Sequence, residues 1–335
     1  MNEDRIQLGH GAGGLMTGRL VDEIFLSALG RPAPALDDAA RLVGAGQGDL
    51  VMTTDAFVVD PLEFPGGDIG ELAVCGTVND LWVCGARPLG LSAAFILEEG
   101  LELAVLRRVV ASMARAAREA GVQVITGDTK VVPRGKGDGC YITTAGVGRL
   151  LPGVKLGPTR ARPGDRLLVS GSVGQHGAAV MARRAGLDPE QVVRSDCAPL
   201  GALLEPLLQE PAGLRAMRDP TRGGLAGVLC ELSAASGVTF EIQELAIPLG
   251  EPLRVTCELL GLDPLHLACE GRVLIVAAPD AADRALELLR AHSQGEDAAD
   301  IGQVSQGQPR VIMHTAVGGR RLITLPASDP LPRIC

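Results

Sequence analysis

The polar and apolar positions of the chain predict strands and helices in turn. Residues 49–59 are rich in β-branched side chains and predict a strand. Residues 68–85 carry apolar side chains at helical spacing, which predicts a helix with Asn79 and Asp80 near its end. The same patterns predict a helix at 101–120 and further strands at 89–97, 122–126 and 140–150. Strands interleaved with helices in this way are typical of an α/β sandwich with helices on one face of a sheet.

A cluster of prolines and glycines at 151–164 interrupts this pattern and predicts a boundary. Beyond it, the pattern predicts strands at 166–170, 272–278 and 320–325, and helices at 174–186, 223–236 and 280–292. We therefore expect an α/β (α+β) chain in three parts. These are an N-terminal domain of residues 1–152, a C-terminal α/β domain of residues 153–322 and a tail of residues 323–335.

The tail ends in Cys335 and contains two prolines close to that end, Pro330 and Pro332. Each proline fixes φ and removes a backbone N–H, which favours an extended, semi-rigid arm. Ten residues from Pro326 span roughly 30 Å when extended. The arm can thus bring its thiol to a site elsewhere in the protein. The alternative is a frayed terminus that happens to end in cysteine.

Composition narrows the classes of partner. The net charge of −9, with one Trp and one Tyr, argues against nucleic acid, which requires cationic surfaces and stacking platforms. No apolar run approaches the roughly 20 residues that cross a bilayer, and the acidic Met1–Asp4 start differs from a signal peptide. We therefore expect a cytoplasmic protein with no membrane partner. The cysteines show no Cys-x-x-Cys pairing, which predicts buried reduced thiols rather than disulfides or a zinc site.

Short acidic or glycine-rich segments recur along the chain, at 10–14, 37–40, 53–55, 79–80, 127–130 and 219–224. Carboxylates gathered in one place repel one another unless a cation neutralises them, and Mg²⁺ bridging to a polyphosphate is the natural choice. Glycines let backbone N–H groups approach a phosphate. The P-loop pattern is missing, so the sequence predicts an ATP site of another class. Alone, each glycine cluster is also compatible with a plain turn, and each aspartate with a cap.

Two further residues have open alternatives. His176 lies where a predicted strand passes into a helix. It is either a ligand contact or a surface histidine at a helix start. Glu270 directly precedes the strand predicted at 272–278, as a site residue or as a solvated turn glutamate.

Taken together, these motifs resemble the HypE family of hydrogenase maturation factors, the carbamoyl dehydratases. The match runs nearly end to end and adds segments at 61–70, 76–81 and 261–265 and the terminal Pro332–Cys335. That ending is the most specific, because the wider superfamily of aminoimidazole ribonucleotide synthetase, selenophosphate synthetase and thiamine phosphate kinase shares the acidic motifs without it. The chain departs from the family at Cys269, where asparagine is common.

The resemblance implies a PurM-like architecture of two domains and an extended C-terminal tail. The N-terminal domain would form a dimeric β-barrel with flanking helices, so a homodimer is expected. The implied partners are a HypF-type carbamoyltransferase and a HypC–HypD-type iron scaffold complex.

The resemblance also implies the reaction. A carboxamide attached to the sulfur of Cys335 would be dehydrated to a thiocyanate with ATP and Mg²⁺, supplying cyanide ligands for the iron of [NiFe]-hydrogenase. The resemblance points to Glu270 and Lys130 as the candidate bases beside Cys335. We favour Glu270 as the proton acceptor and Lys130 as a phosphate contact or relay, because a lysine beside polyphosphate is normally charged.

The resemblance further implies the ligand sets. Nucleotide binding is assigned to Gly11, Gly13, Gly14, Asp38, Asp55, Asn79, Asp80, Asp128, Lys130 and Asp219. Mg²⁺ is assigned to Asp38, Asp80, Asp128 and Asp219. Two alternatives stay open. One is another enzyme of the superfamily, selenophosphate synthetase-like or a small-molecule kinase, in which truncation of Cys335 would leave activity intact. The other is a non-catalytic scaffold that binds ATP without hydrolysing it.

Overall fold

The computed structural model describes residues 15–20, 22, 40–42, 48–187, 193–325 and 333–335. The predicted nucleotide residues Gly11, Gly13, Gly14 and Asp38 lie outside these ranges. The helices of the described residues are α1 (Leu15–Leu20), α2 (Ile69–Val83), α3 (Leu103–Glu119), α4 (Gln175–Arg184), α5 (Gly201–Gln209), α6 (Gly224–Ser236), α7 (Glu251–Leu260) and α8 (Pro279–Arg290).

The first half of the chain forms a five-stranded sheet in the order β1-β2-β7-β5-β6. Its strands are β1 (Ala40–Leu42), β2 (Leu50–Phe57), β5 (Ala86–Glu98), β6 (Val124–Val132) and β7 (Cys140–Leu150), and a small hairpin joins β3 (Glu63–Phe64) to β4 (Gly67–Asp68). All neighbours are antiparallel except the parallel pair β5–β6. In β2, buried Val51 alternates with exposed Met52, so the residues that the structure describes cover one face of this sheet.

Helix α2 covers that face. Asp68 caps its start by accepting hydrogen bonds from the N–H groups of Gly70 (2.7 Å) and Glu71 (3.1 Å). A Cβ at Gly70 would lie 2.1 Å from the carbonyl oxygen of Val109 on α3, so the two helices are in close backbone contact there. The result is a helix buried on nearly all sides, which confirms the helix predicted at 68–85.

The second half forms a seven-stranded sheet in the order β14-β13-β10-β12-β8-β11-β9. Its strands are β8 (Arg166–Val169), β9 (Leu214–Arg218), β10 (Thr239–Gln243), β11 (Leu274–Ala277), β12 (Ala299–Ser305), β13 (Arg310–His314) and β14 (Arg320–Ile323). Strands β8, β11 and β14 confirm three predicted strands. The sequence pattern did not predict β12, which includes Asp300 and Gly302, residue types that are depleted in strands.

One hydrophobic core is shared by the two halves, and a second one lies within the second half. Leu72 and Val78 from α2 and Leu203 and Leu207 from α5 belong to the same buried cluster. Gly201 lies at this contact, because a Cβ there would be 2.8 Å from the indole nitrogen of Trp82. The elements on either side of the 151–164 segment therefore pack directly against each other.

Across the described ranges, none of the helices has the length and the apolar character needed to cross a membrane.

Candidate active site

The chain end, residues 333–335, lies along the residues that follow β2. The backbone N–H of Val58 donates to the carbonyl of Cys335 (3.2 Å), and that of Asp60 donates to the carbonyl of Arg333 (3.3 Å). The Arg333 guanidinium donates back to the Val58 carbonyl (3.1 Å). We call residues 333–335 in this position the docked tail. Its contacts are those of a peptide added alongside a strand.

Ile334, the middle residue of the docked tail, is bound by residues of the second half of the chain. Ile334 is buried, and its carbonyl accepts a hydrogen bond from Nε2 of His176 (2.9 Å). Nδ1 of His176 lies 2.9 Å from Oγ of Ser195. His176 is fully buried at the start of α4, and this burial lowers the pKa of its imidazole to about 4. The ring is therefore neutral at physiological pH.

Charged side chains hold the outer end of the docked tail. Arg184 at the end of α4 donates to the carbonyl of Asp60 (2.6 Å) and to that of Arg333. The guanidinium of Arg333 in turn pairs with the carboxylate of Asp138. Cys335 is thus held through the two residues that precede it, Arg333 and Ile334.

Three predicted acidic residues lie close enough together for their charges to interact. Asp55 lies on β2, Asp219 directly follows β9, and Glu270 precedes β11. Burial raises the pKa of Asp219 to about 6, with a smaller contribution from the charge of Asp55. Burial also raises the pKa of Glu270 well above its usual value, and Asp219, Asp196 and Asp55 add to the effect while Arg222 opposes it. The three carboxyl groups therefore share one electrostatic environment with an excess of negative charge.

Glu270 lies against α2 and the end of β2. A Cβ built at Gly76 would be 2.9 Å from the ring of Phe57 and 3.9 Å from Oε2 of Glu270, so only glycine leaves room at this point. Phe57 immediately precedes Val58, whose N–H binds Cys335. Glu270 is nearly fully buried, and its Oε1 atom has no hydrogen-bond partner among the described residues. A buried oxygen without a donor is suited to receive one from a substrate.

Hydrogen bonds between β2 and α2 order the neighbouring polar groups. The hydroxyl of Thr77 donates to Asp55 (2.8 Å), and that of Thr53 donates to Asp80 (2.6 Å). Burial raises the pKa of Asp55, although the Thr77 hydrogen bond and the charge of Arg222 oppose this rise. The two hydrogen bonds therefore join Thr53 and Asp55 on β2 to Asp80 and Thr77, which lie about one turn apart on α2.

Asn79, which was predicted to bind nucleotide, forms side-chain hydrogen bonds with backbone groups of the protein. Its Nδ2 donates to the carbonyls of Ala198 (3.0 Å) and Glu270 (3.2 Å), and its Oδ1 accepts from the N–H of Leu200 (2.8 Å). Asn79 is completely buried. Its side chain thus fixes the backbone at Glu270.

Asp128 and Lys130 lie apart from the acidic group. The two side chains are exposed on β6 and pair with each other, with Lys130 Nζ 2.8 Å from Asp128 Oδ2. The hydrogen bond from Lys130 lowers the pKa of Asp128. Strand β6 is separated from β2 by β7 and β5, so Asp128 is roughly 14 Å from Asp55 at normal strand spacing.

Cys269 occupies the position at which the chain departs from its family. It is fully buried, and its sulfur accepts a hydrogen bond from the N–H of Gly174 (2.9 Å). Burial raises the pKa of this thiol well above its usual value. The thiol is therefore a neutral acceptor.

The acidic group suits a cation bound together with phosphates. Within the described ranges, no three His, Cys, Asp or Glu side chains have the arrangement of a complete metal site. Mg²⁺ usually takes one or two protein carboxylates and completes its shell with water and phosphate oxygens. Asp55, whose charge raises the pKa of Asp219, could supply such ligands together with Asp219.

The comparisons with known proteins give the family. The model of the AIR synthase related protein family matches its N-terminal domain to residues 36–150 and its C-terminal domain to residues 162–314. A carbamoyl dehydratase HypE from Rhodobacter capsulatus is 48% identical over 340 residues, which cover 100% of this chain and 99% of the relative. The chain belongs to the HypE family.

Solved HypE structures agree with this assignment. A hydrogenase maturation protein HypE in complex with ATP matches with a TM-score of 0.83 and 47% identity, covering 99% of this chain and 100% of the other. A HypE–HypF complex contains a chain that matches with a TM-score of 0.87 and 46% identity, covering 92% of this chain and 99% of the other. The predicted PurM-like two-domain fold and HypE membership are confirmed.

Several residues of the site had no individual role in the predictions. Ser195 and Asp196 lie outside helices and strands, where no periodic pattern singles them out. Arg184 is one arginine among many. Arg222 belongs to the 219–224 motif, and that motif was the one available signal for it.

Proposed function

We propose that this protein removes the elements of water from a carboxamide carried by its own Cys335, giving a thiocyanate. The observation that carries the proposal is the docked tail. The end of a HypE-family chain is hydrogen-bonded to Val58, and the preceding residue, Phe57, lies with the buried Glu270 around Gly76. Relatives in this family are named carbamoyl dehydratase. The product would supply cyanide for the iron of [NiFe]-hydrogenase.

The chemistry requires ATP because a carboxamide oxygen is a poor leaving group. The thiocarbamate R–S–C(=O)–NH₂ would attack the terminal phosphoryl group through its oxygen and release ADP. The C–O bond then breaks, inorganic phosphate carries the oxygen away, and the nitrogen loses two protons to give R–S–C≡N. An ATP-bound HypE structure is a close relative of this chain.

Glu270 is the proposed proton acceptor. Its raised pKa makes the ionised carboxylate a stronger base than an ordinary glutamate, and its Oε1 atom is available to a substrate N–H. Asp196 supports it by accepting the backbone N–H of Glu270 (3.1 Å). Asn79 acts indirectly, by bonding the Glu270 carbonyl.

We further propose that Asp55, Asp80 and Asp219 face the phosphates. Bound Mg²⁺ would offset the negative charge that develops on the transferred group. Asp38, Gly11, Gly13 and Gly14 stay predictions for the same site.

The proposed homodimer accounts for Asp128 and Lys130. Within the described part of the sheet, β6 pairs only with β5, and it exposes Ile125 and Val131 at its outer edge. In a dimer joined through this edge and through the sheet face that the described residues leave exposed, the Asp128–Lys130 pair would lie at the subunit boundary. Lys130 would act there as a phosphate contact, and Asp128 as a Mg²⁺ ligand.

The proposed partners follow from the chemistry at Cys335. A HypF-type carbamoyltransferase would load the carboxamide, and a relative of this chain forms a HypE–HypF complex. A HypC–HypD-type iron scaffold would accept the cyanide. A cytoplasmic location is part of the same proposal, because the buried cysteines are free thiols.

Intact-mass spectrometry of the full chain tests the function. The protein is incubated with the carbamoyltransferase, carbamoyl phosphate and ATP. Wild type should gain a carboxamide and then lose about 18 mass units as water is removed. Cys335→Ala should gain nothing while still binding ATP, and Glu270→Gln should gain the carboxamide but lose water at least a hundredfold more slowly, as for removal of a general base.

Cys257→Ala is the matched control, since it also removes a cysteine thiol but lies on α7. Dehydration of the Cys335→Ala variant, or normal water loss in Glu270→Gln, would refute the assignment. Binding of ATP by a carbamoylated wild type without water loss would instead support a scaffold.

A further inference from the structure

The strongest observation outside the proposed chemistry is the imidazole of His176. It is fully buried, and it contacts the tail through one ring nitrogen and Ser195 through the other. The ring of Phe64 packs edge-on against it, with centroids 5.0 Å apart at 87°. Neither catalysis at Glu270 nor nucleotide binding uses this histidine.

The hydrogen-bond network fixes which nitrogen carries the proton. The carbonyl of Ile334 can only accept, so Nε2 must be the N–H of the ring. Nδ1 of the neutral ring is then an acceptor, and the hydroxyl of Ser195 donates a hydrogen bond to it. The Ser195 oxygen accepts in turn from the N–H of Cys197 (3.0 Å), which sets the direction of the hydroxyl.

The same short segment also contacts the proposed base. The carboxylate of Asp196 is completely buried and accepts N–H groups from Glu270 and from His176. Ser195 itself is tied to the first half, since its N–H donates to the Pro65 carbonyl (2.8 Å). The Ser195–Asp196 pair therefore contacts both His176, which binds the tail, and Glu270, which would deprotonate the substrate.

We propose that His176 is a positioning residue: oriented by Ser195, its imidazole holds Ile334 and so sets Cys335 in register with Glu270. This inference rests on the proposed function. Release of the tail breaks the hydrogen bond between Nε2 of His176 and the Ile334 carbonyl, and the loss of one such buried hydrogen bond disfavours the released state by about tenfold. The Ser195–His176 pair thus biases the tail toward the site, where dehydration takes place, and against the exposed state that a partner must reach.

The first measurement is the alkylation rate of Cys335 by iodoacetamide in the full chain, read from the C-terminal peptide by mass spectrometry. His176→Ala should raise this rate about tenfold, Ser195→Ala a few-fold, and His176→Gln, which retains an N–H donor, by less than His176→Ala. His314→Ala is the matched control, because His314 lies on β13 and pairs with Glu241. It should match wild type.

The second measurement separates positioning from folding. In single turnovers at saturating ATP, His176→Ala should dehydrate the carbamoylated tail about tenfold more slowly, with an unchanged KM for ATP. Loading of the carboxamide by the carbamoyltransferase should be as fast as in wild type or faster. A purely structural defect would slow both steps and lower the melting temperature.

Unchanged alkylation in folded His176→Ala and Ser195→Ala would overturn the proposal, as would equal slowing of loading and dehydration. If His176→Ala does not fold, Ser195→Ala decides alone, since it removes only a hydroxyl. The alkylation assay needs neither ATP nor carboxamide. It therefore remains decisive for the tail contact even if Cys335→Ala refutes the proposed function.

Discussion

At the scale of single residues, the site keeps carboxyl groups where water cannot stabilise their charge. Asp219 is the clearest case, because burial raises its pKa from 3.8 to about 6. A carboxyl whose pKa is higher in the folded protein than in the unfolded chain favours folding while it is protonated. That advantage is complete below pH 3.8 and is lost as the pH rises through about 6.

Asp219→Asn should remove the loss of folding stability that accompanies ionisation of Asp219. We expect the variant to exceed wild type in free energy of unfolding at pH 7.5, on the order of 3 kcal/mol from the shift of the pKa, with the difference shrinking toward pH 4. Urea unfolding at several pH values measures it. Asp297→Asn, at an exposed position, is the control. A difference that stays constant with pH would contradict the expectation.

Single residues also show what the sequence could and could not predict. Glu270 and Asp219 were recognisable because each lies in a segment that resembles a family motif, at 268–271 and 219–224. The alternatives for His176 stayed open because its partners, Ser195 and Ile334, are 19 and 158 residues away in sequence. Such a contact leaves no periodic trace, and only the folded chain reveals it.

At the scale of elements, β6 is the feature that one chain leaves incomplete. Its outer side has no strand partner in the described sheet, and Ile125 is 69% exposed. An unpaired apolar edge favours association with another chain. The structure confirms the predicted helices and long strands of the first half. Strands β9, β10, β12 and β13 were not predicted, and β12 contains Asp300 and Gly302, residue types that are depleted in strands.

Ile125→Lys should weaken the proposed homodimer, because two chains would bring added positive charges together at an edge that loses apolar contact. We expect the dimer dissociation constant to rise at least tenfold, or about 1.4 kcal/mol. Light scattering over a dilution series measures it. Val317→Lys, in the turn between β13 and β14, is the control. A monomeric wild type, or an unaltered Ile125→Lys dimer, would refute the interface.

At the scale of the whole molecule, the shared core joins both sheets into one unit. The domain boundaries at 152 and 322 stay predictions, but α2 and α5 bury their side chains in the same cluster on either side of the first boundary. The sequence could divide the chain at its proline- and glycine-rich segment. It could not show that the parts fold against each other, since that depends on which helix faces meet.

We expect the halves to unfold in one transition. Leu232→Ala opens a cavity in the second core, away from α2, and should cost about 2–5 kcal/mol. The fluorescence of Trp82, the single tryptophan of the chain, reports on the first half. Its unfolding midpoint should fall together with that of the circular dichroism signal. A Trp82 transition that ignores the mutation would show independent domains.

The unpartnered oxygen of Glu270 has a consequence for protein engineering. A buried acid without a donor costs folding free energy, so programmes that search for stabilising substitutions will tend to replace it with glutamine or an apolar residue. Such a variant would express well, have a raised melting temperature and retain its docked tail. If Glu270 is the base, this variant would also be inactive. The buried carboxyl group that destabilises the fold is then the group that reacts with the substrate.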